Sequence, residues 1–296
     1  MPTPEQLRAF WDETIAELAA VDMDAELTPA PEHSSERALV FSVKLTSFGG
    51  ERVNGWYATP PVPEEVHVAG LLTMTGYNMT GEVEGALGWA EKGFATFQVI
   101  NRGQGPLPYP EGSKKKVVAG ITDKHDYAYR KIYMDCLRGL DFLEAQPEVF
   151  PGKIAVAGGS QGGGLTIATA SLAGDRVAVA AAAVPFLGNF PWVMETGVRS
   201  NPYCELTEYL EEHPDHREIA AETLSWFDPM NISPWITCPT FVVAGAQDER
   251  CPVETILPVF DHMTCLKQLM VDPEMGHGQK PDTRDHMLKW MARYLQ

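Results

Sequence analysis

The 296-residue sequence predicts an α/β fold: a mostly parallel central sheet with helices on both faces, an N-terminal antiparallel hairpin and a helical cap insertion. Three observations carry that prediction. From residue 68 onward, short and nearly continuous apolar runs alternate with helical segments, the grammar of parallel strands covered on both sides. Ahead of them stand two alternating stretches, "ALVFSVKL" and "RVNGWYAT", joined by "TSFGGE", which is a hairpin signal. Between two of the later runs, at about 185–236, lies a segment rich in proline and aromatic residues.

The elements follow in order. Residues 4–20 place Leu7, Phe10, Trp11, Ile15 and Leu18 on one helical face. The apolar runs are "VAGLLTM", "FATFQVI", "KIAVAG", "VAVAAAA", "TFVVAG" and "LKQLMV". The longest helix is expected over 124–146, stopping before Pro147, and the last over about 279–295. Phe186, Phe190, Trp192, Tyr203, Tyr209, Trp226, Phe227 and Trp235 crowd the insertion, which reads as a cap over one end of the sheet. No internal repeat or low-complexity linker interrupts the chain, so residues 1–296 are expected to form one domain.

A formal net charge of −17 argues against nucleic acid or an anionic membrane as partner, because both need a basic footprint. The basic run Lys114, Lys115 and Lys116 lies in a Pro/Gly-rich loop and is expected to be a solvated tip. The N-terminus carries prolines, acids and helical periodicity instead of a signal-peptide pattern. No window approaches the roughly 20 apolar residues of a membrane span. Cys136, Cys204, Cys238, Cys251 and Cys265 are odd in number without C-x-x-C spacing, which predicts buried free thiols in a reducing cytoplasm. His213 and His216 in "HPDH" lack carboxylate or cysteine support at ligand spacing, so they are assigned to the surface and no metal is expected.

The chemistry concentrates in "IAVAGGSQGGGL", residues 154–165, where Gly158, Gly159, Gly162, Gly163 and Gly164 surround Ser160. Each glycine in a helix interior costs roughly 1 kcal/mol relative to alanine, so the cluster needs a reason. A glycine-rich turn or a phosphate loop would be the bland readings, but neither G-x-x-x-x-G-K-[ST] nor G-x-G-x-x-G is present at this turn. G-x-S-x-G between a strand and a helix is instead a nucleophile elbow, as in α/β-hydrolases. Small neighbours let the helix pack close, and the backbone amide of Gln161 would then face a substrate carbonyl oxygen.

A serine needs a histidine to take its proton, and the histidine needs a carboxylate to fix its tautomer. In this fold the chain order is serine, acid, histidine, each after a strand. Asp248 follows "TFVVAG" and His277 follows "LKQLMV". Asp248 could alternatively cap the helix starting near Pro252, and Asp228, Asp261 and Asp272 are rival acids. Asp272 lies too close to His277 along the chain, and the remaining histidines read as solvated or structural. "LLTMTGYN" offers a second oxyanion donor, the backbone amide of Tyr77, worth roughly 3 kcal/mol in the transition state.

With these residues in hand, the chain resembles the acetyl xylan esterase and cephalosporin C deacetylase family, carbohydrate esterase family seven. The likeness rests on the N-terminal "FW" helix, "GYN" at 76–78, "NRGQG" at 101–105, "YAYRKIYMDCLRGLDFL", "GGSQGG" at 158–163, and the Asp248 and His277 loops. Arg102, Gly103 and Gln104 match the Arg-Gly-Gln motif, and Arg102 is expected to brace the active-site loops by ion pairing. Gly278 stands where the family usually has glutamate, and Thr75 where it often has histidine. The resemblance implies a serine esterase that removes short acyl groups, acetyl foremost, from hydroxylated small molecules such as sugars or xylo-oligosaccharides. It implies no cofactor, and a homo-oligomer, often a hexamer. The alternatives are a peptidase or dienelactone-type hydrolase on the same fold, or a non-catalytic binding protein on that scaffold.

Overall fold

The computed structural model describes residues 1–104, 115–278 and 280–296. Gly105 of "NRGQG", Lys114 of the basic run and Gln279 at the expected start of the last helix lie outside the described residues. The strands are β1 (Glu26–Pro29), β2 (Leu39–Thr46), β3 (Arg52–Thr59), β4 (Val68–Met74), β5 (Ala95–Ile100), β6 (Val149–Gly159), β7 (Val179–Ala183), β8 (Thr240–Gly245) and β9 (Lys267–Asp272). They form one sheet in the order β1-β2-β3-β5-β4-β6-β7-β8-β9. The first three strands and the β3–β5 pair are antiparallel, and every pairing from β5 through β9 is parallel.

The helices are α1 (Pro4–Ala19), α2 (Glu84–Ala90), α3 (Ala128–Glu144), α4 (Gln161–Ala173), α5 (Phe190–Thr196), α6 (Cys204–Glu212), α7 (Arg217–Ser225), α8 (Pro229–Ile232), α9 (Val253–His262) and α10 (Pro281–Tyr294). The central strands are apolar on both faces because both are buried. Leu72, Val156, Ala180, Ala182 and Val242 pack into one core with α1, α3 and α4. Their alternates Leu71, Ala155, Ala181, Phe241 and Val243 pack into a second core with Trp89 of α2 and with Met287 and Met291 of α10. Helix α4 is buried at every position, which is why its sequence has no polar face.

Helices α5 to α8 occupy the expected insertion between β7 and β8. Phe227 of this segment packs edge-on against Trp11 of α1 at 5.4 Å, and Trp11 donates from Nε1 to Trp226 O at 3.1 Å. Tyr133 donates to Phe227 O at 2.8 Å, so α1 and α3 clamp the end of α7.

Three details differ from the expectation, the first being that Cys204 and Cys265 are only partly buried, unlike Cys136, Cys238 and Cys251. Strand β1 carried no sequence signal because all four of its residues are exposed, leaving no alternation to read. Lys116 is not a solvated tip but fully buried. Its ammonium donates to Asn78 Oδ1 and Gly103 O and lies over the Tyr77 ring at 4.4 Å. Burial drops its pKa to about 8, partly offset by the nearby Glu205 carboxylate. Lys115 is exposed and pairs with Glu208 at 3.0 Å.

Candidate active site

Strand β6 ends at Gly159 and α4 begins at Gln161, so Ser160 alone makes the bend, at φ 56° and ψ −123°. A non-glycine residue there stores on the order of 1–3 kcal/mol of backbone strain, so its surroundings must hold it. They do so from both sides. Ser160 N donates to Ala183 O at 2.9 Å, while Ser160 O accepts from Gly163 N, Gly164 N and Phe186 N. The glycines are required by close approach. A Cβ on Gly162 would stand 2.2 Å from Met74 O, and one on Gly164 would stand 1.9 Å from Phe186 O. Gly158 faces Gly162 in the same way, at 2.5 Å. As the first residue of α4, Gln161 has an amide with no intrahelical acceptor, at the positive end of the helix.

The three separated residues named from sequence come together. Ser160 Oγ lies 3.0 Å from His277 Nε2, and His277 Nδ1 lies 2.9 Å from Asp248 Oδ2 and 3.1 Å from Oδ1. Asp248 is buried, and its Oδ1 also accepts from Arg250 N at 2.8 Å and Cys251 N at 2.9 Å. Those amides belong to the turn after β8 and precede α9, whose N-cap is Pro252, so Asp248 does not cap that helix as the alternative reading had it; its other contact is His277. The rival acids are engaged elsewhere. Asp228 caps α8 and accepts from Asn189 N, Phe190 N and Met230 N, with burial pushing its pKa up to about 6. Asp272 pairs with Lys280 at 2.7 Å, and Asp261 is exposed.

The loop after β4 is positioned by the Arg-Gly-Gln segment. Gln104 Nε2 donates to Gly76 O at 2.6 Å, and its Oε1 accepts from Thr75 Oγ1 at 2.9 Å. The Gly76 carbonyl and the Tyr77 N–H belong to one planar peptide unit, so fixing the carbonyl fixes the direction of the amide. Thr75 thus supplies the hydroxyl that orients Gln104. Arg102 makes a buried two-pronged pair with Asp135: Nε to Oδ2 at 2.8 Å and a terminal nitrogen to Oδ1 at 2.6 Å. It also donates to Phe48 O, and Ser47 Oγ donates to Asp135 Oδ1. Asp135, unremarkable inside a helical run, was missed from sequence. So was Glu205 of α6, which accepts from the Tyr77 hydroxyl at 2.7 Å and whose pKa burial raises.

Ser160 and His277 open into a cavity of about 420 Å³, lined also by Met74, Thr75, Met79, Gln98 and Gly278. None of the eight cap aromatics named from sequence lines it. Gly278 holds φ +154°, a backbone setting that side chains rarely adopt, so glutamate at this position would be strained here. Cys251 is buried beside the pair, and burial raises its thiol pKa well above the usual range, which keeps it protonated. Asp248, Cys251 and His277 are the one group of three metal-ligating side chains found among the described residues, with ligand atoms within 4.8 Å of one another. Two of those three are already bonded to each other. In "HPDH", His213 and His216 stack at 5.1 Å, and Tyr209 hydrogen-bonds His216.

Comparison with known proteins shows the family and the fold. The sequence model of the acetyl xylan esterase family matches residues 1–294. A curated relative, an acetyl esterase of Xylanibacter ruminicola, is 22% identical across 99% of this chain and 68% of its own length. The solved acetyl xylan esterase of Paenibacillus sp. R4 superposes with a TM-score of 0.91 at 31% identity, over 97% of this chain and 94% of that one. Acetyl xylan esterase 1 of Thermoanaerobacterium sp. JW/SL YS485 superposes equally well at 25% identity, over 100% and 95%. The full-length family match and the shared α/β-hydrolase architecture place this chain in the acetyl xylan esterase family, as a carboxylic ester hydrolase.

Proposed function

We propose that the chain removes acetyl groups from hydroxylated small molecules, acetylated sugars or xylo-oligosaccharides, through a Ser160–His277–Asp248 acyl-enzyme. The observation that carries this reading is the continuous hydrogen-bonded line from Ser160 Oγ through His277 to the buried Asp248. Ser160 Oγ attacks the ester carbonyl carbon while His277 Nε2 takes its proton. The carbonyl oxygen becomes an oxyanion held by the amides of Gln161 and Tyr77. As the tetrahedral centre collapses, the bond to the alcohol breaks and His277 protonates the leaving oxygen. Water, deprotonated by the same histidine, then releases acetate and restores Ser160. Asp248 holds the Nδ1 proton throughout and stabilises the imidazolium. No cofactor enters these steps.

The same reading treats 1–296 as one catalytic domain with its cap at about 185–236, assembled as a cytoplasmic homo-oligomer. Among the described residues no helix is long and apolar enough to cross a membrane. Light scattering on the purified protein tests the assembly.

A fluorophosphonate probe tests the chemistry. The expected result is a single covalent adduct that maps to Ser160, together with faster cleavage of an aryl acetate than of the butyrate or a peptide anilide. Folded protein that takes up no probe would favour the binding-module reading. Preference for the anilide would favour a peptidase.

A further inference from the structure

We propose that Gln98 forms a subsite recognising a free hydroxyl on the alcohol part of the substrate, so that partially acetylated polyols are preferred over simple acetates. This rests on the esterase reading above. Gln98 lies on β5, registered with Trp56 on one side and Thr73 on the other, and its side chain lines the Ser160 cavity. The residue is 8% exposed, yet its Oε1 has no hydrogen-bond partner among the described residues. Its Nε2 lies over Gly85, 1.9 Å from where a Cβ would sit, so glycine at 85 makes room for the amide.

The other polar side chains around this cavity are committed. Thr75 binds Gln104, Glu82 accepts from Thr80, and Ser160 and His277 bind each other. A buried amide left without partners is costly, whereas a leucine of similar volume would carry no such cost. Retaining an amide in the wall of the reaction cavity is therefore explained by a ligand that bonds to it.

The chemistry of the acyl group says which part of the ligand this is. An acetyl group has one polar atom, its carbonyl oxygen, and the proposed mechanism gives that atom to two backbone amides. Whatever meets Gln98 must belong to the alcohol. A hydroxyl oxygen can accept from Gln98 Nε2, the end of the amide that is not enclosed, while Oε1 lies shut off from the cavity. An ester of a polyol with a neighbouring unacetylated hydroxyl has that group, and an aryl acetate does not.

The test measures kcat/KM for a mono-O-acetylated methyl xyloside and for an aryl acetate, and takes their ratio. In Gln98→Leu the xyloside-to-aryl ratio is expected to fall about ten-fold, the scale of one lost hydrogen bond in a site built for it. Gly85→Ala, which displaces the amide without removing it, should shift the ratio in the same direction and covers the case in which the leucine variant folds poorly. A ratio within about two-fold of wild type in both variants overturns the subsite, as would be the case if Thr73 were the true partner of the amide. Wild-type protein that cleaves neither ester overturns the esterase reading along with it, so the two failures are distinguishable.

Discussion

Replacing Ser160 with alanine is expected to lower acetate-ester turnover by about 10⁶-fold and to abolish covalent capture by a fluorophosphonate. The residual rate would come from oxyanion stabilisation and substrate positioning, which the substitution leaves in place. Asp248→Asn should cost about 10⁴-fold, because an amide at this position can hold His277 in the wrong tautomer, with its proton pointing at Ser160. Steady-state kinetics on an aryl acetate would show both losses in kcat. Cys251 does not offer a substitute nucleophile, since its buried thiol stays protonated. An alanine variant that keeps more than a few per cent of the activity would place the nucleophile elsewhere and end the proposed mechanism.

The second large effect is on stability. Asp135 is fully buried, and its two oxygens receive Arg102, the Arg102 backbone amide and Ser47. Asp135→Ala removes the carboxylate that the buried Arg102 guanidinium pairs with. Breaking one side of such a pair costs about 3–5 kcal/mol, read as a lowered midpoint in urea denaturation. Replacing both partners, Arg102→Met with Asp135→Leu, should recover most of that loss, because the desolvation penalty disappears with the charges. If the double variant is as unstable as the single one, the pair is not what holds this corner. The single variant should also lose turnover, as Gln104 lies two residues beyond Arg102 and orients the Gly76–Tyr77 peptide.

The parts of this molecule legible from sequence are those governed by local rules. The bend at Ser160 demands glycines within four residues of it, and Asp248 and His277 sit directly after apolar runs that announce themselves as strands. The Arg-Gly-Gln triplet pointed to a brace, yet its partner Asp135 lies 33 positions away in a helix whose periodicity masks it. Lys116 looked like solvent-facing charge because a lysine's usual place is outside. What buries it is a set of acceptors from Asn78 and Gly103, brought together only by the fold. The cap aromatics marked an insertion without saying what they touch, and two of them, Trp226 and Phe227, pack against Phe10 and Trp11 of α1. Gln98 was invisible for the opposite reason: one polar residue in "FATFQVI" reads as noise until the cavity beside it is seen.

Tyr77 spans two jobs with one residue. Its backbone belongs to the peptide that Gln104 pins beside Ser160, while its hydroxyl is anchored to Glu205 in the cap. The roof of the enzyme and its proposed anion cradle therefore share a mechanical joint. On this reading, a ligand or neighbouring subunit that tugs the cap would be felt as a change in reaction speed, with little change in how tightly substrate is held.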